Sequence, residues 1–113
     1  MALTRAFKDL VADRAARDPE FRIALLTEAV DLLLAGDVEI GKALLRDYVN
    51  ATIGFPVLAQ ATGLSAKSLM RMLGPTGNPN ARNLFGVIDA LQKAEGLVLA
   101  VVATSPAKEP EAA

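Results

Sequence analysis

The sequence predicts an all-α domain of five or six helices that contains a helix-turn-helix and ends in one β-strand. Three observations support this fold class. Apolar residues recur at helical spacing along most of the chain. A glycine at position 63 divides two short helical segments. The apolar stretch over residues 97–103 follows another glycine and is rich in valine, which is typical of a strand.

Composition places the chain among folded proteins and restricts its chemistry. The 113 residues are 52% apolar and 22% charged, which is enough apolar sequence for one domain with a core. The chain contains no cysteine and no histidine, which excludes disulfides and thiolate or imidazole metal sites. A general acid or base would have to be a carboxylate, a lysine or the single tyrosine. We therefore expect no enzymatic activity, no cofactor and no metal.

The N-terminal residues carry charges where a signal peptide has its apolar core. The longest apolar stretches, at 32–34 and 97–103, are far shorter than the ~20 residues that cross a bilayer. We expect a cytoplasmic protein without a membrane partner.

The first half of the chain predicts three helices. The first covers residues 4–17. The second covers residues 19–35, with Asp18 as its N-cap and Gly36 as its stop. Asp37 is the expected N-cap of the third. The apolar faces expected to point inward are Phe7, Leu10, Val11 and Ala15 in the first helix, Phe21, Leu25, Leu26, Ala29, Val30, Leu32 and Leu33 in the second, and Leu44, Leu45, Tyr48, Val49 and Ile53 in the third.

The segment from Phe55 to Leu73 predicts the helix-turn-helix. Two short helices, at residues 55–62 and 66–73, are separated by Gly63, which adopts a left-handed backbone without strain. Ser65 can cap the second of them. The side chains expected inside are Leu58, Leu64, Leu69 and Met72, with the small Ala59 where the two helices touch. A helical hairpin without any DNA function is the alternative that this pattern leaves open.

The outer side of the second short helix carries residue types that bind DNA. The expected contacts are Ser65, Ala66, Lys67, Ser68 and Arg71. Lysine and arginine pair with the acceptor edge of guanine, and serine hydroxyls suit phosphate oxygens. No Asp or Glu occurs between Asp47 and Asp89, so a basic face can form on a chain of net charge −1. The alternatives are a solvated helix face and a chance lack of acids.

Asn78 and Arg82 are the second expected DNA contact. Residues 74–80 contain two glycines and two prolines, which predicts a loop. Asn80 caps the next helix, so free amides and Arg82 together can hold a phosphate. A plain loop with a capped helix is the alternative. That last helix is expected to stop at Gly96 and to bury Leu84, Phe85, Ile88 and Leu91.

A single strand in a helical domain lacks a hydrogen-bonding partner in its own chain. The simplest partner is the same strand of a second subunit across a two-fold axis. The residues expected at that dimer contact are Leu97, Val98, Leu99, Val101 and Val102. The alternatives are a strand supplied by another protein and a continuation of the last helix.

Residues 58–91 resemble the Cro/repressor-type (Xre) helix-turn-helix regulators. They read Leu-Ala-x-x-Thr-Gly-Leu-Ser-x-x-Ser-Leu-x-Arg-x-Leu, then Gly-Asn-Pro, then Leu-Phe-x-Val-Ile-x-x-Leu. More narrowly, the chain is similar over about residues 38–103 to addiction-module antitoxins of the HigA type. The chain departs from the family in its longer N-terminal helices and in an apolar Phe55 where several repressors carry a DNA-contacting glutamine.

The resemblance implies a lambda-repressor-like fold in which the second motif helix enters the major groove. It also implies repression of the protein's own operon and, as in many members, binding of a small RNA-cleaving toxin of the RelE type. We therefore expect a homodimeric DNA-binding transcriptional regulator. Its expected parts are an N-terminal helical extension over residues 1–36, a DNA-binding domain over 37–103 and a flexible tail over 104–113. The second hypothesis is an antitoxin that acts mainly by neutralising its toxin through protein contact.

Overall fold

The computed structural model describes residues 5–106, with the side chains of all of these except Arg5 and Lys8. These residues form six helices and no strand, which confirms the all-helical class. In chain order the helices are α1 (Arg5–Arg17), α2 (Pro19–Leu34), α3 (Val38–Ala51), α4 (Gly54–Thr62), α5 (Ala66–Met72) and α6 (Ala81–Glu95). None of the helices in this part of the chain is long and apolar enough to cross a bilayer.

Most helix ends follow the local capping signals. The Asp18 carboxylate accepts hydrogen bonds from the amides of Glu20 at 3.1 Å and Phe21 at 3.2 Å. The bond from the Phe21 amide, followed by the contact with Arg14, lowers the pKa of Asp18. Asp37 lies at the N-cap position of α3, as predicted, but its side chain accepts no hydrogen bond from an amide there.

One core joins five of the helices. α2 packs mainly on α3, while α4 contacts α3, α5 and α6. The buried residues of this core are Leu26 and Ala29 of α2, Leu45, Tyr48 and Val49 of α3, Phe55 and Leu58 of α4, Leu69 and Met72 of α5, Leu73, and Val87, Ile88, Ala90 and Leu91 of α6. The expected buried positions of the helix-turn-helix, Leu58, Leu69 and Met72, lie inside it.

Two predicted apolar faces differ from the structure. In α1, Ala15 is buried, but Phe7 is 49% and Leu10 is 67% exposed. In α6, Phe85 is 63% exposed. It lies two residues from the buried Val87, about 200° around the helix, and therefore on the opposite side.

A polar cluster inside the fold ties distant parts of the chain together. The Arg22 guanidinium donates through Nε and Nη2 to the Glu95 carboxylate at 3.0–3.1 Å. Its Nη1 donates to the carbonyl oxygen of Ala15 at 2.8 Å. The Tyr48 hydroxyl donates to Glu95 Oε1 at 2.6 Å. The cluster therefore connects the end of α1 with α2, α3 and α6.

The C-terminal segment leaves the body at Gly96. Gly96 has φ 76° and ends α6, so residues 97–105 do not continue the helix, and they form neither helix nor strand with the rest of the described chain. The Leu99 amide donates to Gln92 Oε1 at 2.7 Å, and the Leu99 side chain packs on the core. Pairing of this segment with a second copy stays a prediction. The expected mobility of 107–113 falls outside the described residues.

Candidate nucleic-acid interface

The α4–α5 pair has the turn that the sequence predicts. Gly63 ends α4 with φ 79° and ψ 4°, and its amide donates to the carbonyl oxygen of Ala59 at 2.9 Å. Any side chain at position 63 would be strained by that left-handed backbone, even though a Cβ would meet no neighbour within 4 Å. Ser65 then starts α5, where its Oγ accepts from the amide of Ser68 at 3.0 Å.

The two sides of α5 separate cleanly into core and solvent. Leu69 and Met72 are buried, whereas Lys67, Ser68, Met70 and Arg71 are exposed. Ala66 differs from the expectation of an outward position, because it is half-buried and packs against the core. Since Lys67 and Arg71 are four residues apart, they lie on the same side of the helix.

Lys67, Arg71 and Arg82 differ from every other cation whose side chain the structure describes. Each of the others has a partner: Arg14, Arg17, Arg22, Lys42 and Lys93 pair with carboxylates, and Arg46 donates to a backbone carbonyl. Among the described residues, no carboxylate pairs with Lys67, Arg71 or Arg82. The three are the only charged residues between Asp47 and Asp89. Their positive charge is therefore available to an external anion.

Two cations of α3 hold the backbone that follows α5. Lys42 is 1% exposed, and its Nζ donates to the carbonyl oxygens of Gly74 at 3.1 Å and Gly77 at 2.6 Å. Arg46 Nη1 donates to the carbonyl oxygen of Leu73 at 3.1 Å. The loop lies so close to α5 that a Cβ on Gly77 would overlap the carbonyl oxygen of Arg71. The end of α5 is thus fixed by the body of the domain.

Asn78 and Arg82 flank the start of α6 and are both exposed. Between them, Asn80 Oδ1 accepts from the amide of Asn83 at 2.8 Å, as the capping signal predicts. The candidate DNA contacts therefore lie on α5 with its N-cap, in the loop that leads into α6 and in the first turn of α6. The loop over residues 74–80 joins α5 to α6.

Sequence reasoning missed the supporting cations Lys42 and Arg46. A signal for Lys42 was present, because it precedes the buried Leu45 and Val49 by three and seven residues and so shares their side of α3. A lysine on a buried helix face needs hydrogen-bond acceptors. Only the folded loop shows that these acceptors are Gly74 and Gly77.

Comparison with known proteins returns no match. No family model, no curated protein and no solved structure matches this chain.

Proposed function

We propose that the chain is a homodimeric, sequence-specific DNA-binding regulator that represses its own operon through α5. One observation carries this proposal. Lys67 and Arg71 lie on α5, the second helix of a short pair with a glycine turn, and Arg82 lies in the first turn of α6. None of the three pairs with a carboxylate among the described residues.

In this proposal α5 enters the major groove and presents Lys67 and Arg71 to base edges. Its seven residues span about 10 Å, and the groove is about 12 Å wide. Arg71 can donate two parallel hydrogen bonds to a guanine. Ser65 donates to Ser68 Oγ at 2.9 Å, which leaves the Ser68 hydroxyl proton for a phosphate oxygen.

The start of α6 serves as a second contact in the same proposal. Arg82 and the capped N-terminus of α6 offer charge and amide groups to a phosphate, and Asn78 adds an amide side chain beside them. Because phosphates are the same at every base pair, this contact positions the protein without reading sequence.

The C-terminal segment provides the dimer contact in this proposal. Val98, Val101 and Val102 are 78–87% exposed, and no charged residue lies between Glu95 and Lys108. Exposed apolar surface of this kind is covered in stable proteins by a partner. Leu97 and Leu99 are partly covered by their own subunit and would orient the segment. The two copies of α5 would then lie about 34 Å apart, or at a multiple of that spacing.

Arg71→Ala is expected to weaken binding to the protein's own upstream DNA by about 1–3 kcal/mol, since one base-reading side chain is lost. Gel-shift titration against that DNA and against a scrambled duplex measures the change. The loss should be larger on the specific DNA than on the scrambled one. Equal affinity of the variant and the natural protein for the specific DNA would remove Arg71 from the reading surface.

Arg82→Ala is the matched comparison for Arg71→Ala, because both remove one exposed arginine that has no partner. It should weaken binding to both duplexes by the same factor. It should also lower the slope of log affinity against log salt concentration by about 1, as expected for the loss of one phosphate contact. A selective loss on the specific duplex would assign Arg82 to base reading instead.

Val101→Asp is expected to turn the dimer into a monomer, because it places a charge in an uncharged apolar contact. Val101 is 78% exposed, so the substitution leaves the fold of the subunit intact. Thr104→Asp, at the end of the same segment, is the control and should remain dimeric. Sedimentation equilibrium measures the mass; a dimeric Val101→Asp variant would contradict the proposed contact.

Neutralisation of a small RNA-cleaving toxin is the second candidate function. It is favoured by the exposure of Leu10, Leu34 and Ile40, which are 54–67% exposed and belong neither to the proposed DNA surface nor to the proposed dimer contact. Co-expression with the product of the adjacent gene distinguishes the two functions. A stable complex that Ile40→Asp disrupts would support the antitoxin function. If no complex forms, only the DNA-binding regulator is left of the two functions.

A further inference from the structure

A cavity of about 340 Å³ lies between α1, α2 and α3. Its apolar walls come from all three helices and include Val11, Phe21, Leu25 and Leu44. The volume falls within the range of pockets that hold small organic ligands. Neither the proposed DNA surface nor the proposed dimer contact uses this cavity.

The polar groups of the cavity all belong to one helix. Arg46, Asp47 and Asn50 are on α3 and provide a guanidinium, a carboxylate and an amide. Asp47 pairs with no cation among the described residues. A few polar groups in a mostly apolar pocket fix the orientation of a ligand. Because the positive Arg46 and the negative Asp47 both line the cavity, it fits a ligand whose head is uncharged and both donates and accepts hydrogen bonds.

We propose that this cavity is a binding site for a small molecule with an apolar body and an uncharged amide-like head, and that its occupancy is transmitted to the end of α5 through Arg46. Arg46 lines the cavity and donates through Nη1 to the carbonyl oxygen of Leu73, the residue that ends α5. A guanidinium has five N–H donors, so donors other than the one bonded to Leu73 can meet the ligand head.

The transmission has a short physical path. A ligand head that draws the Arg46 guanidinium toward the cavity lengthens or breaks the hydrogen bond from its Nη1 to the carbonyl oxygen of Leu73. Gly74 follows directly, and its amide donates to the carbonyl oxygen of Arg71 at 3.1 Å. A shift of Arg46 thus changes the last turn of α5, which carries Arg71. Any effect on DNA rests on the proposed function, whereas ligand binding and the shift of α5 do not.

Octanamide titrated into the ¹⁵N-labelled full chain tests the proposal without DNA. We expect saturable shifts of the amide signals of Phe21 and Leu25 at the cavity, together with shifts at Leu73 and Gly74. Ala12→Phe fills the cavity and should weaken octanamide binding at least tenfold. Ala24→Phe is the matched control, because Ala24 is exposed and does not line the cavity; it should bind as the natural chain does.

Arg46→Met separates binding from transmission. It should weaken octanamide binding, because a donor to the ligand head is lost. At saturating octanamide it should still show the shifts at Phe21 and Leu25 but not those at Leu73 and Gly74. Octylammonium and octanoate should bind at least tenfold more weakly than octanamide, because an ammonium only donates and a carboxylate only accepts, so neither can hydrogen-bond to both Arg46 and Asp47. Absence of saturable shifts, or shifts that persist in Ala12→Phe, overturns the site. Equal binding of a charged analogue overturns the uncharged head, and unmoved signals of Leu73 and Gly74 overturn the transmission.

A gel shift with saturating octanamide separates this proposal from the proposed function. If the chain binds its upstream DNA and octanamide changes that affinity at least threefold, both proposals gain support. If no DNA is bound while the amide signals shift as described, the cavity proposal stands and the regulator proposal falls. If DNA is bound with an affinity that does not change at saturating octanamide, the ligand has no effect on DNA binding, and the Leu73 and Gly74 signals alone decide whether α5 shifts.

Discussion

Glu95→Ala is expected to lower the free energy of unfolding by about 3 kcal/mol. The carboxylate is 9% exposed in its ion pair with Arg22 and accepts a hydrogen bond from the Tyr48 hydroxyl at 2.6 Å. Its removal leaves the Tyr48 hydroxyl and the Nε and Nη2 donors of Arg22 without an acceptor in a partly buried place. Equilibrium denaturation with urea, followed by circular dichroism, measures the loss.

Two controls isolate the effect of this cluster. Asp89→Ala removes a carboxylate from the same helix, but its pair with Lys93 is exposed on both sides and should be worth no more than about 0.5 kcal/mol. Tyr48→Phe removes only one hydrogen bond to Glu95 and should cost about 1 kcal/mol. If Glu95→Ala proved no worse than Asp89→Ala, the cluster would contribute nothing to the stability of the fold.

The stability contributed by Glu95 should depend on pH in a defined direction. Hydrogen bonding from Arg22, opposed by burial and assisted by Tyr48, holds the pKa of Glu95 below its ordinary 4.5. Because the pKa of the folded state is the lower one, the contribution is present above about pH 4.5 and is lost as the pH falls through the lowered pKa. The difference between the natural chain and Glu95→Ala should therefore shrink on acidification.

Tyr48 limits stability at the alkaline end. Burial, followed by its hydrogen bond to Glu95, raises the pKa of Tyr48 above its ordinary 10.0. A raised pKa in the folded state means that the contribution is full below pH 10 and is lost as the pH rises through the raised pKa. The cluster of Arg22, Tyr48 and Glu95 therefore contributes most to stability between pH 4.5 and pH 10.0, the ordinary pKa values of Glu95 and Tyr48.

The features that the sequence predicts well are local in the chain. The bonds that Asp18, Ser65 and Asn80 make to amides two or three residues ahead require only the start of a helix. Gly63 adopts its left-handed backbone at the expected place for the same reason. The side of α5 that carries Lys67 follows from helical spacing, since Leu69 and Met72 fix the opposite side.

The features that the sequence does not predict depend on which elements meet. Phe85 belongs to an apolar run, but only the position of α6 against α4 decides that its side faces solvent. Arg22 and Glu95 are 73 residues apart in the chain, and no pattern in either segment points to the other. The half-burial of Ala66 likewise reflects the contact of α5 with the core. Local rules place side chains on a helix, whereas packing decides which side is covered.

Lys42→Met is expected to lower the free energy of unfolding by about 2–3 kcal/mol. The substitution keeps the apolar stem of the side chain and removes only the ammonium group, so two carbonyl oxygens beside α5 lose a charged donor. Lys93→Met is the matched control, because Lys93 is 77% exposed and should change stability by no more than about 0.5 kcal/mol. Urea denaturation of the two variants gives the comparison.

Because Lys42 holds the loop between α5 and α6, its loss should loosen that loop more than the rest of the core. The amide of Gly77 donates to the carbonyl oxygen of Gly74 at 3.1 Å, so its hydrogen exchange reports directly on the loop. In Lys42→Met this amide should exchange at least tenfold faster, relative to the amide of Leu45 in α3, than in the natural chain. If Gly77 and Leu45 were instead accelerated equally, Lys42 would stabilise the domain as a whole and would have no specific part in fixing the end of α5 against α6. A selective acceleration, by contrast, would mean that a buried side chain of α3 sets the position of the surface that carries Arg71 and Arg82.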